Sequence, residues 1–220
     1  MKNRLLSFLY LLAVTFVGMQ ATAFAATESD AQQLIIDRSG ELVNALKEQQ
    51  AAIKSDPQIA YQLVENIVLP HVDFNRVARL VLGKYWRQAT DEQRERFTKE
   101  FRDFLVRTYV TAMIEFSDQI VSHAKNVKYL PFRNSDPNDV SVRMQITLPD
   151  RPPMQINYSL YQDENGWKIY DLALEGLSLA TTYRSSFSTQ IRREGIDGLI
   201  NKLAERNASV APQPAENATK

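Results

Sequence analysis

The sequence predicts an α+β domain in which helices pack on one face of an antiparallel sheet. Apolar residues recur at helical spacing through most of residues 31–123, alternate with polar residues between positions 140 and 174, and return to helical spacing after position 178. Helices, then strands, then helices is the order typical of an α+β fold. Because there is no internal repeat and no Gly/Ser linker, residues 26–206 are predicted to form a single domain.

The first 25 residues have the features of a secretory signal peptide. Lys2 and Arg4 precede an uncharged apolar run at residues 5–17, and Ala23 and Ala25 supply a small-residue cleavage site. We expect cleavage after Ala25 and export to the periplasm. Loss of the two basic residues would change the net charge from zero to about −2. No later segment of the sequence is apolar enough over a sufficient length to span a bilayer.

The mature chain is predicted to begin with two helices. In residues 31–54, Ile35, Leu42, Leu46 and Ile53 fall near one helical face. A second helix opens at Asp56 and Pro57, which suit the N-cap and the first helical position, and it ends before Pro70.

Two further helices have clear end signals. Asp73 can cap a helix over residues 74–82 that Gly83 closes. Thr90 and Gln93 form a capping box, which starts the longest predicted helix, extending to about residue 123. One stripe of this helix carries Phe97, Phe101, Phe104, Thr108, Ala112, Phe116 and Ile120.

Strands follow, because the apolar period changes from 3.6 to 2. Alternation over residues 140–148 and 154–160, the run 167–174 and the short run 127–132 predict a four-stranded antiparallel meander. Asn165 and Gly166 are a strong hairpin signal between the last two strands. A final helix starts near Leu179 and is interrupted near Gly195, and residues 207–220 have the composition of a disordered tail.

Composition excludes several classes of function. The chain has 26 Lys and Arg against 26 Asp and Glu, which argues against a nucleic-acid partner. It has no Cys and two His, so disulfides, thiolate chemistry and multi-histidine metal sites are not expected, and no cofactor is indicated. His71 with Asp73 could form an acid/base pair or half of a metal site, but we favour a turn histidine beside an N-cap carboxylate.

A surplus of large apolar side chains is the most informative feature. The long helix carries Leu105, Val106, Tyr109, Val110 and Met113 beside its main stripe, and the last strand has apolar residues on both faces. These side chains either fill one close-packed core or surround an apolar cavity. Composition alone does not separate the two arrangements.

Several segments together resemble one known family. They are residues 63–74 (LVENIVLPHVDF), 78–87 (ARLVLGKYWR), 92–94 (EQR), 165–171 (NGWKIYD), 175–179 (EGLSL) and 183–185 (YRS). In this order they resemble the toluene-tolerance family of periplasmic phospholipid-binding proteins, and the similarity covers nearly all of the mature chain except the tail.

The resemblance implies an NTF2-like α+β fold whose helices and sheet enclose a pocket for phospholipid acyl chains, with the headgroup near solvent. It also implies a monomeric carrier, not an enzyme, that takes phospholipid as cargo. Such a carrier would shuttle between an outer-membrane lipoprotein–porin complex and an inner-membrane ABC transporter with an MCE domain, in the Mla system that maintains outer-membrane lipid asymmetry.

Under this resemblance the inward stripes become candidates for the lipid-binding wall. These candidates are Phe104, Tyr109, Met113, Tyr158, Ile169, Leu172, Leu174 and Tyr183. The alternative is an NTF2-like pocket enzyme of the isomerase or dehydratase type that uses His71, Asp73 or Tyr109. A third possibility is a periplasmic adaptor with a packed core and no ligand.

Overall fold

A computed structural model describes residues 21–131, 136, 138–149 and 152–209. The helices are α1 (Ala21–Glu48), α2 (Gln50–Ser55), α3 (Gln58–Ile67), α4 (Phe74–Leu82), α5 (Asp91–Glu115), α6 (Ser117–His123) and α7 (Leu179–Ser209). The strands are β1 (Val127–Tyr129), β2 (Asp139–Ile146), β3 (Met154–Asp163), β4 (Gly166–Leu174) and β5 (Leu177–Ser178). Short 3-10 turns span Leu69–His71, Gly83–Arg87 and Ala124–Asn126.

The predicted α+β class, with helices packed on an antiparallel sheet, is confirmed. The sheet is a meander in the order β1-β2-β3-β4-β5, and each strand pairs with its neighbours in an antiparallel direction. Among the described residues it has five strands, where four were predicted. The missed strand β5 has only two residues, and it turns back on β4 through Glu175 and Gly176, whose φ angles are 49° and 78°. Consecutive positive φ angles are typical of a tight hairpin turn.

The predicted helix ends agree with the structure where a side-chain cap defines them. Asp73 Oδ1 accepts a hydrogen bond from the Arg76 amide at 2.9 Å, and this carboxylate begins α4. Thr90 and Gln93 exchange the two hydrogen bonds of a capping box at the start of α5. Gly83 closes α4 with a φ angle of 55°.

Two predicted helices are each broken in the structure. The helix expected over residues 31–54 is α1 followed by α2, with the break at Gln49, and α1 begins earlier, at Ala21. Residues 1–20 of the predicted leader lie outside the described residues. The long helix ends at Glu115 and resumes as α6, because Phe116 has a non-helical ψ of 16°. Phe116 is 49% exposed and therefore does not continue the buried stripe.

The C-terminal helix continues past the position predicted for its end. A non-helical residue, Gly195, interrupts α7, as the sequence predicts, and the helix then runs to Ser209 instead of stopping at residue 206. Asn207 is 9% exposed, and its Nδ2 donates to the backbone oxygen of Glu100 at 2.9 Å and to its Oε2 at 2.8 Å. Positions 210–220 of the predicted tail lie outside the described residues.

Three apolar clusters hold together the elements in the described part of the chain. Ala31 and Ile35 of α1 pack on Val140 and Val142 of β2. A second cluster joins α1, α2, α3 and α5, and a third joins α4, α5 and α7. The third cluster includes aromatic rings, and Phe101 of α5 meets the rings of Tyr183 and Phe187 edge-on. In the described part of the chain, no helix combines the length and apolar content needed to cross a membrane.

Candidate functional site

An apolar cavity of about 300 Å³ lies between the helices and the sheet. Its wall is built from one side of α3, α4 and α5, one residue of α1, the start of α7, the turn between α3 and α4, and strands β3 and β4. The lining residues are Leu42, Val64, Val68, Leu69, Val72, Phe74, Val77, Val81, Phe101, Leu105, Val106, Tyr109, Val110, Met113, Tyr158, Ile169, Tyr170, Asp171, Leu172, Leu179, Ala180 and Tyr183.

Helical spacing explains why these side chains share one wall. Phe74, Val77 and Val81 lie three and four residues apart on α4, and the lining residues of α5 follow the same spacing. Apart from the Tyr109 hydroxyl, these side chains are aliphatic or aromatic groups without hydrogen-bonding capacity. The cavity is therefore suited to an apolar ligand, whose burial is favourable in proportion to the area removed from water.

Asp171 carries the only carboxylate among the described lining residues. Its Oδ1 accepts a hydrogen bond from the amide of Ala180, at the N-terminus of α7, at 3.1 Å. A carboxylate at this end of a helix also interacts favourably with the helix dipole. Asp171 is thus engaged in positioning α7 and does not make the wall polar.

Tyrosine hydroxyls supply the remaining polarity. Burial, reinforced by a hydrogen bond with Tyr183, raises the pKa of Tyr109 far above its usual value. Burial raises the pKa of Tyr158 to about 12. Both phenols are therefore neutral at physiological pH. Tyr109 is 39% exposed although it lines the cavity, which places it at an opening to solvent.

The structure brings six of the eight predicted wall residues to the cavity. They are Tyr109, Met113, Tyr158, Ile169, Leu172 and Tyr183. Contact of any of these side chains with lipid stays a prediction.

Phe104 and Leu174 do not line the cavity. Phe104 lies behind the wall, where its ring is 6.3 Å from that of Phe101 and 5.8 Å from that of Tyr183. Leu174 is opposite Ile156 and Leu177 in the sheet, at the end of β4 where the chain turns. Both residues share the apolar period of the wall, but they are only half-buried and do not face the cavity.

The part of the wall that comes from α1, α3 and α4 was not among the predicted site residues. The spacing of Phe74, Val77 and Val81 was visible in the sequence as the apolar face of a capped helix. The sequence did not indicate that this face of α4 borders a cavity instead of close-packed neighbours.

His71 and Asp73 are not among the cavity residues. Burial, together with the nearby cations Arg38 and Lys168, lowers the pKa of His71, so the imidazole is neutral at physiological pH. Asp73 caps α4 with one oxygen, and the other accepts from the Tyr161 hydroxyl at 2.5 Å. The two side chains thus have separate surroundings. The described residues contain no group of three or more His, Cys, Asp or Glu that could hold a metal ion.

A family model and two relatives with known names are similar to this chain over most of its length. The model of the family described as MlaC protein matches residues 37–205. The chain is 27% identical over 197 residues to the intermembrane phospholipid transport system binding protein MlaC of Haemophilus influenzae, covering 87% of this chain and 90% of that one. It is 27% identical over 184 residues to the toluene tolerance protein ttg2D of Pseudomonas putida, covering 80% of each.

A solved structure is also similar. It is the phospholipid-binding protein from Ralstonia solanacearum in complex with a phospholipid, with a TM-score of 0.72 and 32% sequence identity. The alignment covers 83% of this chain and 99% of the other. The family match spans the helices and strands that build the cavity, and the predicted resemblance is confirmed: this chain belongs to the MlaC protein family.

Proposed function

We propose that this protein is a periplasmic phospholipid carrier that holds acyl chains in the apolar cavity. The observation that carries the proposal is the wall itself, which is aliphatic and aromatic apart from neutral phenols and one carboxylate already bonded to a helix N-terminus. The related protein from Ralstonia solanacearum is described as bound to a phospholipid, and that from Haemophilus influenzae as part of an intermembrane phospholipid transport system.

Free-energy considerations support a carrier that needs no energy source of its own. Two acyl chains of about 15 methylenes each gain on the order of 20 kcal/mol when they leave water. A bilayer offers a similar gain, so exchange between a membrane and the cavity is nearly balanced. Release of free lipid into the periplasm is strongly unfavourable, and partner proteins must set the direction of transfer.

The partners in this proposal are an outer-membrane lipoprotein–porin complex and an inner-membrane ABC transporter with an MCE domain. The carrier would be exported after cleavage at Ala25 and would shuttle between them as a monomer. Tyr109, at the opening, would lie near the glycerol or headgroup region. Headgroup selectivity should be weak, because a charge left in water contributes little binding energy.

A pocket enzyme is less well supported. Of the three residues that this alternative needs, His71 and Asp73 do not line the cavity. Tyr109 stays a neutral phenol because its pKa is raised, so it supplies no phenolate to act as a base at physiological pH. The adaptor with a filled core has no support either, since the interior contains the cavity.

The carrier proposal is tested by native mass spectrometry of protein purified without detergent. We expect adducts with the mass of intact phospholipid, which organic extraction removes and which incubation with vesicles of labelled phosphatidylethanolamine restores. Homogeneous, folded protein that carries no lipid and takes none up from vesicles would contradict the proposal.

A further inference from the structure

A second recess, of about 820 Å³, lies on the other side of α4 and is strongly basic. We call it the basic groove, and the residues that matter here are Arg76, Arg79, Lys84, Trp86, Arg87 and Arg184. It shares no described lining residue with the apolar cavity. Helix α4 therefore separates the two: its apolar face lines the cavity, and its arginine-bearing face lines the groove.

One of these cations is already neutralised. The Arg76 guanidinium forms a salt bridge with Asp139 at 3.1 Å and lies 4.0 Å from the centre of the Tyr161 ring. Asp73, the carboxylate within the groove, is engaged by the Arg76 amide and the Tyr161 hydroxyl. These groups form a rigid end to the groove and contribute little net charge.

The other four cations lack a counter-charge. Within the described ranges, none of the side chains of Arg79, Lys84, Arg87 and Arg184 takes part in a salt bridge. The whole chain has equal numbers of acidic and basic residues, so this local excess is not a consequence of general basicity. Like charges held close together repel, and this cost is offset when an anion binds.

The groove is also held in shape. Arg184 Nε donates to the backbone oxygen of Leu80 at 2.6 Å, which fixes the guanidinium at the C-terminal end of α4. Gly83 makes this approach possible, because a Cβ there would lie 3.3 Å from Arg184 Cδ. A positioned guanidinium loses less conformational freedom when it pairs with an anion.

We propose that the basic groove is the docking site for an acidic segment of a partner protein. This inference rests on the proposed function, since a carrier must dock with the complexes that load and unload it. Arginine forks pair with two carboxylate oxygens at once, and Trp86 and Leu80 give the groove apolar surface for the rest of a peptide segment. A flat bilayer surface cannot enter a recess, whereas a loop or helix end can.

Docking at this position would act directly on the cavity. A partner that draws Arg79 toward its carboxylates also pulls on the helix that presents Val77 and Val81 to the lipid. The groove is therefore well placed to link partner binding to loading or release.

The test uses a short fluorescent oligo-glutamate peptide as the probe, with anisotropy measured on the full mature protein. Arg79 and Arg87 are exposed and are replaced together by glutamine, with an Arg79→Glu/Arg87→Glu variant as a second form. The matched control is Arg192→Gln/Arg193→Gln, two exposed arginines on α7 outside the groove. Circular dichroism checks folding in each case.

We expect the glutamine variant to bind the peptide roughly tenfold more weakly than wild type, the glutamate variant more weakly still, and the control within about twofold. Equal affinity of all variants, or no peptide binding by wild type, would overturn the proposal. So would groove-dependent binding of phosphatidylglycerol vesicles without peptide binding, which would make the groove a membrane contact. Lipid occupancy is measured in the same wild-type preparation, so a failure of lipid carriage is distinguished from a failure of docking.

Discussion

The cavity itself can be tested by narrowing it with the substitution Val77→Phe. Val77 is a half-buried residue of α4 whose side chain lines the cavity. In a close-packed core a larger side chain costs about 1–3 kcal/mol of stability. Because Val77 borders open space, we expect the free energy of unfolding of the lipid-free protein to change by less than about 1 kcal/mol.

The effect on lipid retention should be much larger. Phenylalanine adds about four carbon atoms to valine, and each displaces a comparable length of acyl chain from the cavity. At about 0.8 kcal/mol per methylene, the loss is about 3 kcal/mol, or roughly a 100-fold shift of lipid from protein to vesicle. Val121→Phe on α6 is the control, since Val121 is also half-buried and does not line the cavity.

The assay is equilibrium partitioning of a labelled phospholipid between the protein and vesicles, with urea unfolding measured in parallel. The assignment of the cavity as the lipid site is refuted if folded Val77→Phe protein retains lipid within about twofold of wild type. It is also refuted if Val121→Phe lowers retention as strongly, because the loss would then not depend on the cavity.

Three further results are expected. Asn207→Ala removes two hydrogen bonds to Glu100, one of them to its carboxylate. Urea unfolding should show a loss of about 1–3 kcal/mol in the free energy of unfolding. A loss under about 0.5 kcal/mol would show that this contact does not hold the helix end. Gly83→Ala should lower the free energy of unfolding by about 1–2 kcal/mol, because the φ of Gly83 is 55°. Gly40→Ala lies in an exposed helical position with free space around it and should raise the free energy of unfolding by about 0.5–1 kcal/mol. Melting temperatures that shift in the same direction for both variants would contradict this. Burial raises the pKa of Tyr158 to about 12 against 10 for free tyrosine, so the neutral phenol favours the folded state below about pH 10, and this contribution is lost as the pH rises toward 12. In urea unfolding, Tyr158→Phe should therefore lose less stability over that pH range than wild type does. An identical loss of stability would refute the assignment.

Local signals in the sequence were sufficient for most of the fold. The capping groups Asp73 and Thr90 each accept from the amide three residues later, so their effect can be read without tertiary information. Alternation along β2 and β3 likewise indicates a sheet with one buried face. The spacing of apolar residues did not decide between a filled core and a pocket, and the resemblance to the toluene-tolerance family added the expectation of a pocket.

Features set by distant contacts could not be predicted in the same way. The true end of α7 depends on Asn207 meeting Glu100, which lies 107 positions earlier in the chain. The short strand β5 is held by pairing with β4 and carries almost no pattern of its own. Phe104 and Leu174 have the period of wall residues, and only the three-dimensional packing shows that they do not line the cavity.

The simple order of the sheet has a consequence for how the chain folds. Every described strand pairs with its neighbour along the chain, so the sheet closes only short loops and pays little loop-closure entropy. The contacts of α5 with α7, by contrast, join segments that lie about half the chain apart. We therefore expect the sheet to form early and the helical wall to close over it last, so that the cavity is completed only at the final step of folding.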